Sequence, residues 1–200
     1  MYPLFESVCI ENSQIKNAQY HEARFRTSYI QLYKSYPNYS LFDGIHLTNL
    51  DNTLKYKLRI GYKQHGTRFS ISEYENSIPT SLKLVSDDTI SYNLKQNNRK
   101  KLNNLYLQKG DLDDVLIVKK GCITDASYSN ILFTDGNKIV TPSTPLLQGT
   151  CRARLLAENL IMEANITKSD LQNFKSFQLI NALNDYDKNR WLPIKNIMDY

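Results

Sequence analysis

Apolar residues recur with two different periods along the first third of the chain. Residues 4–11 are largely apolar and predict a strand, and the polar pair that follows them suits a turn. Residues 17–36 have helical spacing, with Asn17 at the N-cap position. Residues 57–74 alternate apolar and polar side chains around a Gln-His-Gly turn, which predicts a β-hairpin. With a second helix expected within residues 41–54, this third predicts a small domain of strands and two helices.

A polar stretch over residues 75–81 predicts a linker, and a run of short apolar segments follows it. The predicted strands are LKLV, DDVLIV, the segment that ends near Asp125, NILF, KIVT and FQLINAL. Helical spacing between Lys95 and Gly110 and again after Gly149 separates some of these strands. The pattern therefore predicts an α+β protein with a small N-terminal α/β domain over residues 1–80 and a larger C-terminal domain over residues 81–200.

Two local patterns refine the helices of the larger domain. The apolar residues Leu155, Leu156, Leu160 and Ile161 predict one buried face of the helix after Gly149. Thr167 followed by Asp170 predicts a capping box at the start of a shorter helix.

Composition limits the class of protein. Of 200 residues, 41% are hydrophobic and 14 are Tyr, which indicates a packed globular chain. No apolar run approaches the roughly 18 residues that a membrane span requires, so we expect a soluble cytoplasmic protein with no membrane partner. Three widely spaced cysteines without a CxxC pair favour a reducing compartment and no zinc site. The three histidines also lack the spacing of metal ligands, so no metal is expected.

The formal net charge of +5 and the isoelectric point near 9.0 favour an anionic ligand. Nucleic acid is one class of such ligand, but the dense basic run at residues 95–101 has no interleaved aromatic residues and fits no common recognition motif. A phosphate or carboxylate on a small molecule accounts for the charge equally well. We therefore expect a small-molecule substrate and no nucleic-acid partner.

Candidate chemistry is concentrated in residues 121–152. Asp125 is an acid at the end of a predicted strand and suits a protonated ring nitrogen, whereas Gly149, Thr150 and Cys151 offer backbone amides at a helix N-terminus and suit a phosphate. Both features suit a phosphorylated ring cofactor.

A longer series of residues resembles a known family. The series is Asp125, Asn130-Ile131, a strand, Thr141-Pro142, Leu147 and the run from Gly149 to Arg152. It resembles the cofactor half of the class IV aminotransferases, the fold type IV pyridoxal-phosphate enzymes that include branched-chain and D-amino-acid aminotransferases and aminodeoxychorismate lyase. The resemblance extends upstream to Lys95 and to residues 5–28. It implies a two-domain D-amino-acid aminotransferase-like fold, pyridoxal 5′-phosphate between the domains and a homodimer.

The resemblance also implies roles for residues that contact the cofactor ring. Lys95 lies thirty residues before Asp125, as does the family's lysine before its acid, so Lys95 is expected to form the Schiff base with the cofactor. Asp125 stands where the family usually has Glu and is expected to keep the pyridine nitrogen protonated. The shorter side chain requires the backbone to come closer to the ring.

A second group is expected on the cofactor phosphate. His21, Arg24 and Ser28 share one face of the first helix, and the HxxR pattern resembles the family's phosphate-binding arginine, which assigns Arg24. Thr150 and Cys151 stand where many relatives have Ile-Thr, and their amides remain available to phosphate. Asn181 is expected to add a polar contact to the phosphate or the substrate.

The resemblance defines the reaction less closely than the cofactor. Lys95 is followed by Gln-Asn-Asn-Arg, a KxxNR pattern similar to that of aminodeoxychorismate lyase, so a lyase forming 4-aminobenzoate in folate synthesis ranks first. A class IV aminotransferase acting on a small or branched-chain amino acid is the alternative. A pyridoxal-phosphate-binding protein without turnover is a third, because the chain begins almost at the Phe-Glu pair of the first strand. Ser7 and Arg99 are the candidate substrate contacts.

Overall fold

The computed structural model of the chain describes residues 2–198, and these residues form two compact units. The first unit comprises the chain up to Asn76 together with Leu94–Asn98. The second comprises Ser77–Asn93 and the chain from Arg99 onward. Each unit has its own sheet structure and its own apolar core.

The first unit is a four-stranded antiparallel sheet with one long helix. Its elements are β1 (Leu4–Glu11), β2 (Gln14–Ile15), α1 (Ala18–Tyr33), β3 (Tyr56–Lys63) and β4 (Gly66–Glu73). The strand order is β2-β1-β3-β4, so β1 and β3 are central and β4 forms an edge. The predicted first strand, long helix and hairpin are confirmed.

Helix α1 packs on the face of the sheet that carries every second residue of β1 and β3. Phe25 and Tyr29 of the helix share a buried cluster with Val8 of β1 and Leu58 of β3. Aromatic rings close this core, because Phe25 meets Tyr62 edge to face with 5.0 Å between ring centroids. The long helix is thus held on the sheet by the buried residues of one face, among them Phe25 and Tyr29.

The second helix expected within residues 41–54 is wrong, because this segment consists of turns. Gly44 and Asn49 have positive φ angles of 73° and 59°, which end any helix there. The Asp51 carboxylate accepts a hydrogen bond from the Thr53 amide at 2.8 Å, so the side chain caps a local turn instead.

The second unit is built from two sheets with a helix on the outside of each. Its regular elements are β5 (Leu82–Ser86), α2 (Lys100–Tyr106), β6 (Asp114–Lys119), β7 (Cys122–Ala126), β8 (Asn130–Thr134), β9 (Ile139–Pro142), α3 (Thr150–Ala157), β10 (Met162–Ala164), β11 (Ser176–Ile180), β12 (Leu192–Pro193) and β13 (Ile197–Met198). Short 3₁₀ helices cover Leu107–Lys109, Lys168–Asn173 and Ile194–Asn196. The sheet orders are β10-β9-β8-β11-β12 and β13-β5-β6-β7.

The two sheets of this unit share one core. Leu116 of β6 and Phe133 of β8 belong to the same buried cluster between the sheets. The alternate residues face outward: Val115 meets α2 in one cluster, and Leu132 meets Leu155 of α3 in another. Both faces of β6 and β8 are therefore covered, which explains why these strands are continuous apolar runs instead of alternating ones.

Helix α3 is shorter than its apolar pattern predicts. It ends at Ala157, and Asn159 then has a positive φ of 57°. Leu160 and Ile161 lie beyond the helix, so the predicted four-residue face is wrong for these two. The capping box of Thr167 and Asp170 is confirmed at the start of its 3₁₀ helix. Within residues 2–198, no helix is both long and apolar enough to cross a membrane.

Candidate active site

Asp125 is a buried acid of the second unit. It lies on β7 and is only 5% exposed. One carboxylate oxygen accepts a hydrogen bond from Asn130 Nδ2 at 2.8 Å, and the other accepts one from the Leu147 amide at 2.9 Å. Burial raises the pKa of Asp125 to about 6, although these hydrogen bonds oppose the shift. Among the described residues no cation forms an ion pair with Asp125. Its direct hydrogen bonds come from neutral amides, and the more distant charge of Arg152 does not overcome the effect of burial.

Asn130 connects this acid to the loop before α3. Besides Asp125, its Nδ2 donates to the Leu147 carbonyl at 3.0 Å. A Cβ atom on Gly149 would lie 1.8 Å from Asn130 Oδ1, far inside contact distance. Glycine at position 149 therefore lets Asn130 approach the start of α3 and hold Asp125 at the same time.

Arg152 stabilises the same loop from inside α3. Its side chain is buried and donates to the Pro142 carbonyl at 2.9 Å and to Gln148 Oε1 at 3.1 Å. It also pairs with Glu163 on β10. The two ends of the loop between β9 and α3 are thus fixed by one guanidinium, and the amide of Leu147 is held where it meets Asp125.

The N-terminus of α3 carries Thr150 and Cys151, the residues predicted to bind phosphate. Gly149 is the N-cap and has an extended backbone, and no side chain caps the helix. The Cys151 thiol donates to Asp185 Oδ1 at 3.1 Å, and burial raises the pKa of this thiol strongly. The thiol is therefore neutral and bound to the protein, so the chemistry that this end offers to an anion is that of backbone amides.

Asn181 follows β11 and organises its own loop. Its Oδ1 accepts hydrogen bonds from the amides of Leu183 and Asn184, both at 2.8 Å. Its Nδ2 donates to Ser129 Oγ at 3.0 Å, in the turn between β7 and β8. Asn181 thus ties its loop to the turn that separates Asp125 from Asn130, and its predicted contact with phosphate or substrate stays a prediction.

Arg99 precedes α2 and also contacts the turn after Asp125. Its guanidinium donates to the Ser127 carbonyl at 2.7 Å and to the Tyr92 hydroxyl at 3.3 Å. It lies 4.0 Å from the ring centroid of the exposed Tyr128. These contacts are structural in kind, and a substrate contact by Arg99 stays a prediction.

The first unit carries a second acid cluster, around Glu6. This glutamate lies on β1 with its side chain fully buried toward α1. Arg24 Nε donates to Glu6 Oε1 at 2.9 Å, and a terminal nitrogen of Arg24 pairs with Oε2. His21 Nδ1 lies 2.7 Å from the same Oε2. The residue predicted to bind phosphate is thus held by a carboxylate that the prediction did not include.

Protonation states in this cluster follow from burial and charge. Burial alone would raise the pKa of Glu6, but the charge of Arg24 and the hydrogen bond from His21 lower it to about 2. Burial lowers the pKa of His21, and the positive charges of Arg24 and Lys95 lower it further against the pull of Glu6. His21 is therefore neutral at pH 7, and as the donor to Glu6 it carries its proton on Nδ1.

Lys95 belongs to the same unit as Arg24. Its carbonyl accepts a hydrogen bond from the Phe5 amide at 3.0 Å, and its Nζ lies 5.0 Å from the Phe5 ring centroid. The predicted position at the end of a strand is wrong: β5 ends at Ser86, and Lys95 lies in an irregular segment whose Gln96 bridges to Leu4. The predicted helix just after Lys95 is confirmed as α2.

The sheet of the first unit has a polar face on the side away from α1. Ser7 of β1, Arg59 of β3 and Ser70 of β4 lie in one row across three strands. The guanidinium of Arg59 lies 3.7 Å from the Phe5 ring centroid. The sequence prediction included Ser7 but missed Arg59, because strand alternation gives the face of each residue but not the register between strands.

Glu6 is the other residue that the sequence prediction missed, although a signal was present. In LFESVCIE the residues Leu4, Glu6, Val8 and Ile10 share one face of the strand. A carboxylate at a core position requires a hydrogen-bonding or charged partner. The basic residues of the following helix, His21 and Arg24, are candidates for that partner.

The predicted residues thus form two groups. Arg24, Lys95 and Ser7 lie in the first unit, and Asp125, Thr150, Cys151, Asn181 and Arg99 lie in the second. The chemistry of the second group fits a phosphorylated pyridine. A buried carboxylate with neutral partners suits a protonated ring nitrogen, and a helix start without a side-chain cap suits a phosphate.

Comparison with known proteins defines the family. The Amino-transferase class IV family matches residues 72–197 of this chain. An uncharacterized protein of Haemophilus influenzae is 40% identical, and the match covers 92% of this chain and 99% of that protein. The chain therefore belongs to the class IV aminotransferase family, and the predicted family and fold type are confirmed.

Solved structures agree. A candidate 4-amino-4-deoxychorismate lyase of Haemophilus somnus has a TM-score of 0.88 and 34% identity, with 93% of this chain and 98% of that chain covered. A candidate amino-acid aminotransferase of Mesorhizobium loti has a TM-score of 0.73 and 20% identity, with 95% and 97% covered. Family membership also confirms the expected enzyme class and its cofactor, pyridoxal 5′-phosphate. The residues that hold the cofactor here remain predictions.

Proposed function

We propose that this protein is a pyridoxal-phosphate-dependent lyase that converts 4-amino-4-deoxychorismate into 4-aminobenzoate and pyruvate for folate synthesis. One observation carries this proposal above the others. The candidate lyase of H. somnus is 34% identical over nearly its whole length, whereas the candidate aminotransferase of M. loti is 20% identical over a similar length. The KxxNR pattern from Lys95 to Arg99 agrees with that ranking.

Five residues besides Lys95 would hold the cofactor in this proposal. Asp125 would keep the pyridine nitrogen protonated, since its buried carboxylate is fixed by two amide donors and needs a cation. Arg24 and the backbone amides of Thr150 and Cys151 would bind the phosphate. Asn181 would add a polar contact through the loop that it organises.

Lys95 would serve as both anchor and base. When bound, pyridoxal phosphate supplies an electron sink next to the carbon that bears the substrate's amino group. Lys95 Nζ would accept the proton from that carbon, and the enolpyruvyl group would leave from the neighbouring one, so that the ring becomes aromatic. The enolpyruvate would take up a proton to give pyruvate, and the amino group would stay on the aromatic product.

Substrate recognition would use cations and hydroxyls, because the substrate carries two carboxylates. Ser7 and Arg99 are the predicted contacts, and Arg59 joins them because it lies beside Ser7 in the sheet register. Ring binding and proton transfer are assigned to Asp125 and Lys95. Substitution of Ser7, Arg59 or Arg99 would therefore change KM more than kcat.

The test is a coupled assay of the purified, cofactor-loaded enzyme with aminodeoxychorismate and no 2-oxo acid. Pyruvate and 4-aminobenzoate should appear in equal amounts over many turnovers, because the lyase reaction restores the cofactor in every cycle. Loss of the pyruvate signal in Lys95→Ala, with an unchanged circular dichroism spectrum, would tie the activity to this lysine. No product from the wild-type enzyme would contradict the lyase proposal.

A class IV aminotransferase is the second candidate, supported by the family itself and by the M. loti structure. A transaminase transfers the amino group to the cofactor, so one amino acid alone would change the cofactor absorbance and a 2-oxo acid would restore it. Such a half-reaction with alanine, glutamate or a branched-chain amino acid, without pyruvate from aminodeoxychorismate, would select this alternative. Cofactor binding with neither reaction would select a binding protein without turnover.

We further propose a cytoplasmic homodimer, as the family resemblance implies. The three cysteines are free, which agrees with a reducing compartment. Light scattering after size-exclusion chromatography should give twice the 23.2 kDa mass of the chain. A monomer at micromolar concentration would contradict the proposed dimer.

A further inference from the structure

Glu6 occupies a position that a sheet protein normally fills with an apolar side chain. It lies in the middle of β1, on the face that packs against α1, and its side chain is 0% exposed. Val8 on the same face of this strand belongs to the apolar core. A buried carboxylate at such a site destabilises the fold unless its partners compensate for the lost hydration, so its presence requires a reason beyond packing.

The partners of Glu6 fix the orientation of a second side chain. Arg24 meets both carboxylate oxygens, with Nε donating to Oε1 at 2.9 Å and a terminal nitrogen donating to Oε2. Two parallel hydrogen bonds determine the plane of the guanidinium as well as its position. His21, one turn earlier on α1, lies 2.7 Å from Oε2 and prevents the carboxylate from rotating.

We propose that Glu6 is a positioning residue that presets the guanidinium of Arg24 for the cofactor phosphate, with His21 holding Glu6 in turn. This inference rests on the proposed function, in which Arg24 binds the phosphate. Arginine carries several rotatable bonds, and holding it in one geometry before the ligand arrives removes an entropy cost from binding. Each immobilised side chain of this kind changes affinity by about three- to tenfold.

Charge acts in the opposite direction, and this makes the inference testable by sign. The carboxylate of Glu6 is negative and repels a phosphate near Arg24, so charge alone predicts that Glu6→Gln tightens phosphate binding. Positioning predicts that the same substitution weakens it. The direction of the change therefore separates the two effects.

Glu22 provides a matched control on the same helix. It pairs with Arg26 and accepts hydrogen bonds from Ser40 Oγ at 3.0 Å and the Leu41 amide at 2.8 Å. Glu22→Gln therefore also disturbs an arginine pair and the packing of α1. It does not touch Glu6 or Arg24.

The experiment measures the contribution of the phosphate to binding by calorimetry. The ligands are pyridoxamine 5′-phosphate and pyridoxamine, neither of which can form a Schiff base with a lysine. The dissociation constant of pyridoxamine divided by that of pyridoxamine 5′-phosphate gives the contribution of the phosphate to binding. A general loss of fold weakens the binding of both ligands and leaves this ratio unchanged. Glu6→Gln should lower the ratio about three- to tenfold, and Glu22→Gln should leave it as in the wild type.

Two further variants keep the outcome decisive. Glu6→Asp retains the charge but is one methylene shorter, so it should also lower the ratio, and it replaces Glu6→Gln if that variant does not fold. Arg24→Lys keeps a cation beside Glu6 but loses the planar guanidinium with its parallel N–H donors, and it should lower the ratio about tenfold.

Three results would overturn the inference. A higher ratio in Glu6→Gln would mean that Glu6 acts through its charge. An unchanged ratio in both Glu6 variants, with a lower ratio in Arg24→Lys, would remove the inference and leave the proposed role of Arg24 intact. An unchanged ratio in Arg24→Lys would remove the proposed phosphate contact itself, and the inference with it.

Discussion

Each unit buries a carboxylate among its candidate site residues, Glu6 in the first unit and Asp125 in the second, and these two carboxylates have opposite pKa shifts. Glu6 is completely buried, yet the charge of Arg24 and the hydrogen bond from His21 overcome the effect of burial and lower its pKa to about 2. Asp125 is similarly buried, but its hydrogen bonds from Leu147 and Asn130 do not overcome burial, and its pKa is raised to about 6. The charge of the partners decides the direction of the shift.

The two carboxylates thus differ in whether the protein itself supplies a cation as their partner. Glu6 already has its cation within the protein, so its role is to hold that cation. Asp125 has acceptor geometry and no cation in ion-pair contact within residues 2–198, so a positively charged ligand atom would relieve its burial. A protonated pyridine nitrogen is such an atom, which is why we propose Asp125 as the ring partner.

The largest expected effect on stability comes from breaking the ion pair between Arg24 and Glu6. Arg24→Ala leaves the Glu6 charge buried without its cation, and such losses cost about 3–5 kcal/mol. Urea unfolding of the cofactor-free protein at pH 7 measures this directly. Arg26→Ala is the control, because it removes a partly exposed i,i+4 pair on the same helix and should cost only about 0.5 kcal/mol.

The double variant Glu6→Gln/Arg24→Ala sharpens this result. It removes both charges and should be more stable than Arg24→Ala alone, because no uncompensated charge remains. If Arg24→Ala costs less than about 1 kcal/mol, water or another group compensates Glu6, and the contrast between the two carboxylates fails.

The raised pKa of Asp125 should make the free energy of unfolding depend on pH. Folded Asp125 keeps its proton up to about pH 6, whereas the unfolded chain releases it near 3.8. Stability from this group is therefore present at low pH and falls as the pH rises through this window, by about 3 kcal/mol in total. Unfolding of the wild type and of Asp125→Asn from pH 4 to 8 should give a difference that falls by most of this amount.

Subtraction of the two curves isolates Asp125, because Glu6 titrates in both proteins. Glu6 has the opposite sign: its lowered pKa stabilises the fold above about 4.5, and this is lost as the pH falls toward about 2. A difference curve that stays flat between pH 4 and 6 would show that Asp125 is already compensated. Saturation with pyridoxal phosphate should flatten it if the ring nitrogen pairs with Asp125.

A smaller effect is expected from the support of Asp125. In Gly149→Ala the new Cβ would lie 1.8 Å from Asn130 Oδ1, so Asn130 must move and its hydrogen bonds to Asp125 and Leu147 weaken. Overpacking of this kind costs about 1–3 kcal/mol, measured by thermal unfolding. Asn130→Ala removes the obstacle, so the two substitutions together should cost less than their sum. Strict additivity would show that Gly149 and Asn130 do not interact.

The elements that could be predicted from the sequence are those that the local pattern of apolar and polar side chains determines. The strand at residues 4–11, the hairpin and the two-faced apolar strands such as β6 follow from the side-chain pattern alone. The helix expected within residues 41–54 failed because Gly44, Asn49 and Asp51 impose turns that a sparse apolar pattern does not reveal. The end of α3 failed for the same reason at Asn159.

The rest depends on contacts between residues far apart in the chain. The segment around Lys95 joins the first unit through the amide of Phe5, and no local pattern indicates that pairing. The bond of Arg24 to Glu6 likewise depends on how α1 lies across β1. Sequence reasoning can name the residue types that carry the chemistry, but the partners that set their charge and orientation come from tertiary packing.

The smallest expected effect concerns a third carboxylate, Asp185, which has both kinds of partner. The hydrogen bond from Cys151 and the charge of Arg154 overcome partial burial and lower its pKa. Cys151→Val removes the neutral donor but leaves Arg154, so it should cost only about 1 kcal/mol. Cys151→Thr keeps a donor of similar size and should stay within about 0.5 kcal/mol of the wild type by thermal unfolding. If Cys151→Val costs as much as Arg24→Ala, a neutral donor matters as much as a cation, and charge compensation would not explain why Glu6 and Asp125 differ.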